Sequence, residues 1–164
     1  MARDSEVRQV YFTSAISREF FDLMVGEKLG YGIGRDVFAC KLDKSLVVKI
    51  ERASHSFQNV AEWELWDQLR DTKMASWLAP CVNISENGSV LLMKRTTPII
   101  PGTTKLPVAA PRFLNDFKYQ NYGVFERRIV CHDYGRHHAV SEGYSTISKM
   151  KKVRFWDVNK DTRS

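Results

Sequence analysis

The chain contains no apolar run that approaches the roughly 20 residues a membrane-spanning helix needs. Its three cysteines are odd in number and far apart, which argues against a disulfide framework and for a reducing compartment. No internal repeat or low-complexity block occurs, and no signal-like apolar block follows the N-terminus. We therefore expect a cytoplasmic protein of one domain, without a membrane partner.

The composition is ordinary for a globular domain that buries a core of its own. The 164 residues are 43% hydrophobic and 27% charged. The formal net charge of +6 suits an anionic partner, such as a nucleotide, a nucleic acid or an acidic protein. We interpret the densest basic cluster as a solvated surface, with a nucleic-acid contact as the less favoured alternative. The cluster consists of Lys149, Lys151, Lys152 and Arg154.

Three glycines alternate with other residues near the first predicted strands. Gly30, Gly32 and Gly34 stand between Leu29 and the apolar run 37–39, which predicts a strand, a tight turn and a second strand. Glycine lets backbone N–H groups approach a phosphate without a Cβ in the way. A plain glycine-rich hairpin is the alternative, because neither a Rossmann fingerprint nor a Walker ending is present.

A lysine and a glutamate stand where apolar residues are expected. Lys49 lies in the run 46–50, where a charge is costly unless it meets an anion. Residues 57–70 have the period of an amphipathic helix, which places Glu62 on the apolar face and Glu64 toward solvent. We expect Lys49 and Glu62 to form an ion pair. The alternatives are an edge-strand lysine that faces water and a glutamate tolerated as a boundary residue.

The remaining pattern predicts further strands and one extended crossing. A helix is expected over residues 18–24, with Ser17 as its cap. Asn87 and Gly88 predict a type I′ hairpin turn. Residues 94–112 are rich in proline and are expected to be extended. The other predicted strands are 79–84, 89–93, 122–124, 128–131 and 153–156.

Two short loops carry the polar chemistry. Asp116 is followed by Lys118 two residues on and by Asn121 five residues on, and Asp133 stands in an Asp-Tyr-Gly turn. In phosphoryl transfer an Asp positions the attacking hydroxyl, while an Asn and another Asp hold Mg²⁺. This pattern indicates Asp116 as a catalytic residue, with Asn121 and Asp133 as metal ligands. The nearby histidines do not have the spacing of a structural zinc site.

The order of these elements along the chain resembles the protein kinase-like fold. That order is the glycine hairpin, the strand lysine, the helix glutamate and the two polar loops. The resemblance covers roughly residues 26–135. It implies an α+β fold, in which residues 26–94 form a kinase-like N-lobe of antiparallel sheet with one long helix. Residues 95–164 would then form a reduced C-terminal part, and residues 1–25 an N-terminal extension of this single minimal domain.

The resemblance also implies roles for single residues, with ATP and Mg²⁺ as cofactors. Lys49 would hold the α- and β-phosphates, and Glu62 would be its ion-pair partner. The implied nucleotide-binding residues are Gly30, Gly32, Gly34, Val37, Lys49, Glu62 and Met93. The implied catalytic residues are Asp116, Lys118 and Lys49, and the implied metal ligands are Asn121 and Asp133.

The chain departs from the family pattern in several places. Arg35 stands where a third glycine is expected, and Leu114 and Asn115 replace the usual His and Arg before Asp116. Little chain remains after Gly135 for a substrate-binding helical lobe. So economical a form is typical of phage or other mobile genomes, which would place the protein in a host cytoplasm.

The expected function is an ATP- and Mg²⁺-dependent phosphotransferase, similar to protein Ser/Thr kinases, that acts on a hydroxyl of a protein. The alternative is an inactive pseudokinase-like module that binds and inhibits or recruits a host protein. Self-association is left open.

Overall fold

The structure is a computed structural model, which describes residues 15–32, 34–52, 56–137, 139 and 146–157. The chain forms two compact units. The first unit consists of Met1–Trp63 and Cys81–Arg95, and the second consists of Glu64–Pro80 and Thr96–Ser164. Within the described ranges, no helix is both long enough and apolar enough to span a bilayer. Residues 1–14 of the expected N-terminal extension lie outside the described residues.

The first unit is built on a five-stranded antiparallel sheet. In chain order its elements are α1 (Ala15–Met24), β1 (Val25–Tyr31), β2 (Arg35–Cys40), β3 (Leu46–Glu51), the start of α2 (Gln58–Leu69), β4 (Cys81–Ile84) and β5 (Val90–Lys94). The strand order is β1-β2-β3-β5-β4, so β3 lies in the centre of the sheet. The α+β fold class predicted from the sequence, an antiparallel sheet with few helices, is confirmed.

One face of this sheet is covered by α1. Phe38 and Val48 belong to a buried apolar cluster on that face, and Phe21 of α1 joins them. The rings of Phe21 and Phe38 meet edge to face, with their centroids 5.9 Å apart. Phe20 and Met24 pack at the border of the cluster. Phe20, Phe21 and Met24 therefore point inward, as the sequence period predicts, whereas Leu23 is 58% exposed.

The opposite face of the sheet carries Lys49. Val37 lies directly across from Lys49 in the β2–β3 pair, and Leu91 lies across from it in the β3–β5 pair. Met93 pairs with Val47, two residues before Lys49 and on the same face. Lys49 is only 3% exposed and lies on the central strand, so the edge-strand alternative is wrong.

The second unit contains two smaller sheets. Its strands are β6 (Thr97–Pro98), β7 (Ala109–Pro111), β8 (Tyr122–Phe125), β9 (Arg128–Cys131) and β10 (Met150–Lys152). β8 pairs with β6 and β9, and β10 pairs with β7, all antiparallel. Residues 94–112 contain short strands and turns but no helix, as their prolines predict. The predicted β8–β9 hairpin is confirmed.

The turn between β4 and β5 differs from the predicted type I′ turn. Gly88 has a φ of 73°, but Asn87 has no positive φ, and a type I′ turn requires both. The Gly88 N–H donates to the Ser85 carbonyl oxygen at 2.8 Å and closes a turn that ends at Gly88. Two consecutive positive φ values occur instead between β8 and β9, at Glu126 (47°) and Arg127 (63°).

Two predicted boundaries are also wrong. The last strand is Met150–Lys152, because the lysines of this segment pair with the alanines of β7, and the predicted strand 153–156 is absent. Trp156 instead makes a single bridge with Lys118. Helix α1 begins at Ala15, two residues before the expected cap at Ser17.

Candidate functional site

The centre of the first unit holds a buried ion pair. The Lys49 Nζ atom lies 2.8 Å from Glu62 Oε2, and the two side chains are 3% and 0% exposed. The helical period of α2 turns Glu62 inward and leaves Glu64 exposed. The contact predicted between Lys49 and Glu62 is therefore present, and the interpretation of Glu62 as a boundary residue is wrong.

A second cation shares the same carboxylate. Arg35, the first residue of β2, donates from Nη2 to Glu62 Oε1 at 2.5 Å and from Nη1 to Asn59 Oδ1 at 3.3 Å. Asn59 in turn donates to the backbone oxygen of Lys49 at 3.3 Å. From the sequence, Arg35 was only a residue in the place of a glycine. No local signal in the sequence identifies its contact with Glu62, which lies 27 residues away.

Burial makes this cluster energetically demanding. Each ion that leaves water costs several kcal/mol, and the cost is offset only where donors satisfy the carboxylate. Both Glu62 oxygens have a cationic donor here, one from β2 and one from β3. The cluster therefore ties α2 to the two strands that carry Arg35 and Lys49.

The hairpin glycines differ in their packing. A Cβ on Gly34 would lie 2.6 Å from Ser56 Oγ, so packing requires glycine there. A Cβ on Gly30 would meet nothing within 4 Å, and one on Gly32 would lie 3.7 Å from the Arg35 carbonyl oxygen. Neither Gly30 nor Gly32 has a positive φ. Folding of the described residues therefore does not require glycine at these two positions, which leave the hairpin backbone open.

In the second unit, a sharp backbone turn brings three predicted residues together. Asp116 has a φ of 49°, a conformation that Asp adopts more readily than most residues. Its side chain is 41% exposed, whereas Leu114 and Phe117 are buried. Asp116 Oδ2 lies 2.8 Å from Lys118 Nζ. The Asn121 amide donates to the Asp116 backbone oxygen at 3.0 Å.

His132 connects the turn of Asn121 to the turn of Asp133. Its backbone N–H donates to the Asn121 oxygen at 2.9 Å, and its Nε2 lies 2.8 Å from the Gln120 oxygen. Because a carbonyl oxygen can only accept, Nε2 carries a proton, and Nδ1 shares a hydrogen bond of 2.7 Å with the Thr96 hydroxyl. Sequence reasoning assigned His132 no role. Its only signal was its position next to Asp133.

Asn121 and Asp133 supply the oxygen atoms that Mg²⁺ prefers. Because the Asn121 amide nitrogen binds the Asp116 backbone, Oδ1 is the atom left to face a metal. Asp133 is exposed beside buried Tyr134, whose hydroxyl donates to the Ala79 oxygen at 2.8 Å. Over the described ranges, no three His, Cys, Asp or Glu side chains are grouped to hold a metal. Two protein ligands together with phosphate oxygens are, however, a common Mg²⁺ arrangement.

The aromatic residues beneath this loop keep it in place. Phe117 stacks on Tyr122 with ring centroids 5.3 Å apart. Burial raises the pKa of Tyr122 well above its usual range, so the phenol stays protonated and donates to the Asn115 oxygen at 3.3 Å. The loop therefore packs on buried, uncharged aromatic rings.

The predicted residues fall into two groups, one in each unit. In the first, Val37 is half-buried and Met93 fully buried on the Lys49 face of the sheet. In the second, Asp116, Lys118 and Asn121 are joined by direct contacts. Their assigned roles in nucleotide binding, catalysis and metal binding stay predictions.

No protein-family model matches this chain, and no curated protein sequence does. Among solved structures, it is similar to the one described as the streptomycin-ATP-APH(2″)-IIa ternary complex. The similarity covers 54% of this chain and 30% of that chain, at 21% identity and a TM-score of 0.40. This chain thus spans less than a third of that protein.

Proposed function

We propose that this chain is an ATP- and Mg²⁺-dependent phosphotransferase of the protein kinase-like class, which transfers the γ-phosphate to a protein hydroxyl. The buried Lys49–Glu62 pair on the central strand carries the proposal. Replacing a buried ion pair with apolar residues is often neutral or stabilising, so stability alone gives little reason to keep this one. A lysine that is paired with a carboxylate inside a sheet is suited to bind a further anion.

In the first unit, the residues on the Lys49 face suit the nucleotide. The Lys49 ammonium would bind the α- and β-phosphates, oriented by Glu62. The Gly32 N–H already donates to the Arg35 oxygen at 2.8 Å, but the lack of side chains at Gly30 and Gly32 would let a phosphate approach the hairpin backbone closely. Val37, half-buried on the same face of the sheet, would supply apolar surface for the base, and the fully buried Met93 would support that surface from within. The unit thus offers both the charged and the apolar contacts that ATP needs.

In the second unit, Asp116 would accept the proton of the acceptor hydroxyl. The acceptor oxygen then bonds to the γ-phosphorus as the bond to the bridging oxygen of ADP breaks. Lys118 would neutralise charge on the transferred group. Asn121 and Asp133 would hold Mg²⁺, which, when bound, neutralises the phosphate oxygens.

A labelling experiment tests this function. The protein is incubated with γ-labelled ATP, Mg²⁺ and heat-treated cell lysate, whose own kinases are inactive. Asp116→Asn is the test variant, because Asn also tolerates a positive φ. We expect the wild type to transfer label and Asp116→Asn to lose at least about 100-fold, the scale of general base catalysis. Asp71→Asn, 94% exposed in the same unit, should match the wild type.

Two outcomes would count against this function. If the wild type labels no protein, including itself, or if Asp116→Asn labels equally well, the chain is not the proposed enzyme. Stabilisation of the folded protein by ATP without any transfer would support the non-catalytic binding module instead.

A further inference from the structure

The segment 149–157, here called the C-terminal strap, lies along the stretch that leads into the Asp116 loop. The Arg112 N–H donates to the Lys149 oxygen at 2.8 Å, and β10 then pairs with β7. The Val153 N–H donates to the Val108 oxygen at 3.0 Å. The strap is therefore held by backbone hydrogen bonds along much of its length.

At its end, the strap binds the backbone on both sides of Lys118. The Trp156 N–H donates to the Phe117 oxygen at 3.1 Å, and the Tyr119 N–H donates to the Trp156 oxygen at 3.0 Å. Phe155 is 9% exposed and packs edge-on against Phe117, with centroids 5.5 Å apart. The loop backbone and its aromatic base are thus both fixed by residues far along the chain.

The side chain of Lys118 is held from two sides. Its Nζ atom lies 2.8 Å from Asp116 Oδ2 and 5.3 Å from the centre of the Trp156 ring. A cation over an aromatic face at this distance is attracted to the ring. Lys118 is 34% exposed, so without the ring its flexible stem would sample many positions.

One of the four basic side chains of the strap contacts the Asp116 loop and the segment before it. The Lys151 ammonium donates to the Arg112 backbone oxygen at 3.1 Å and lies 5.6 Å from the centre of the Phe117 ring. This lysine braces the loop, whereas Lys149, Lys152 and Arg154 are exposed.

We propose that the C-terminal strap is a structural part of the Asp116 loop and that Trp156 is a positioning residue for Lys118. The inference rests on the proposed function. It explains how the loop is kept ordered: a returning segment supplies backbone hydrogen bonds and aromatic contacts to both sides of Lys118.

Three variants test the positioning role. Trp156→Phe keeps an aromatic face, and Trp156→Leu removes it at a similar bulk. Trp77→Leu is the matched control, since Trp77 is a half-buried tryptophan of the same unit without a contact to Lys118 in the described residues. The first measurement is the NMR shift of the Lys118 methylene protons, which the face of an aromatic ring moves upfield.

We expect upfield signals in the wild type, Trp156→Phe and Trp77→Leu, and near-random-coil signals in Trp156→Leu. This measurement does not depend on enzyme activity. Unchanged Lys118 signals in Trp156→Leu would overturn the contact. A wild type that transfers no phosphate would overturn the proposed function, while the NMR result would still decide whether Trp156 holds Lys118.

The second measurement is a double-mutant cycle on transfer. Trp156→Leu should lower kcat about two- to fivefold, the range of an exposed cation–π attraction, with KM for ATP changed less than kcat. In a Lys118→Met background, Trp156→Leu should cause no further loss, because the contact is already gone. Additive losses would show that Trp156 supports the fold in general and would overturn the positioning role.

Discussion

Arg35 and Lys49 bind the two oxygens of one carboxylate, that of Glu62, with all three side chains almost completely buried. The arginine comes from the start of β2 and the lysine from the middle of β3. A shared counter-ion therefore fixes the position of Lys49 relative to the hairpin that carries Gly30 and Gly32. The lysine is set in place before any ligand arrives, which is the preorganisation that anion binding favours.

Removing the shared carboxylate should be costly. Glu62→Gln leaves two buried cations without this counter-charge and should lower the free energy of unfolding by about 3–5 kcal/mol. Urea denaturation measures this change in the free energy of unfolding. The control is Glu64→Gln, two residues along the same helix and exposed, which should change stability by less than about 0.5 kcal/mol. Equal effects in both variants would show that the Glu62 cluster does not stabilise the fold.

Gly123 should tolerate no side chain. A Cβ there would lie 2.6 Å from Thr96 Cβ and 2.8 Å from the Thr97 oxygen. The Thr96 hydroxyl is already bound to His132, so Gly123→Ala should lower the free energy of unfolding by about 1–3 kcal/mol. Gly30→Ala, which meets nothing within 4 Å, should change it by less than about 1 kcal/mol. If Gly123→Ala is as stable as Gly30→Ala, the space around Thr96 accommodates a methyl group and this expectation is wrong.

The Asp43 carboxyl should titrate below its ordinary pKa. The hydroxyl and the backbone N–H of Ser45 both donate to it, and they favour the charged form. Because the folded-state pKa is depressed, the group stabilises the fold above its unfolded pKa, and this contribution is lost as pH falls through the folded pKa.

NMR titration of the Asp43 carboxyl measures the effect. Ser45→Ala should raise the pKa part of the way, since the backbone donor remains. Ser76→Ala, an exposed-hydroxyl control, should leave it unchanged. If the pKa of Asp43 does not rise in Ser45→Ala, the Ser45 hydroxyl is not a cause of the depressed pKa.

The ion pair could be predicted because each partner breaks an apolar pattern. Lys49 interrupts a β-branched strand, and Glu62 interrupts the apolar face of a helix, so each required a charged partner. Arg35 breaks no such pattern, since it stands at the end of a polar turn. Its partner lies 27 residues away, and no local signal identifies it.

The turn at Gly88 was mispredicted for a local reason. Asn-Gly favours a type I′ turn when the backbone alone decides. Here the Asn87 side chain accepts from the Ser85 hydroxyl at 2.9 Å and from the Ser89 N–H at 3.1 Å. These side-chain bonds select another turn, as Asn side chains often do. The support of Lys118 by Trp156 joins residues 38 positions apart and has no periodic signal.

ATP binding through Lys49 is the claim on which the other assigned roles depend. Calorimetric titration with ATP and Mg²⁺ tests it most directly, because it needs no acceptor. The wild type should bind, and Lys49→Met should bind at least about tenfold more weakly, a loss of about 1.4 kcal/mol. Lys44→Met, on an exposed turn, should bind like the wild type. A folded wild type that gives no binding heat, or a Lys49→Met variant that binds as tightly, would contradict the claim.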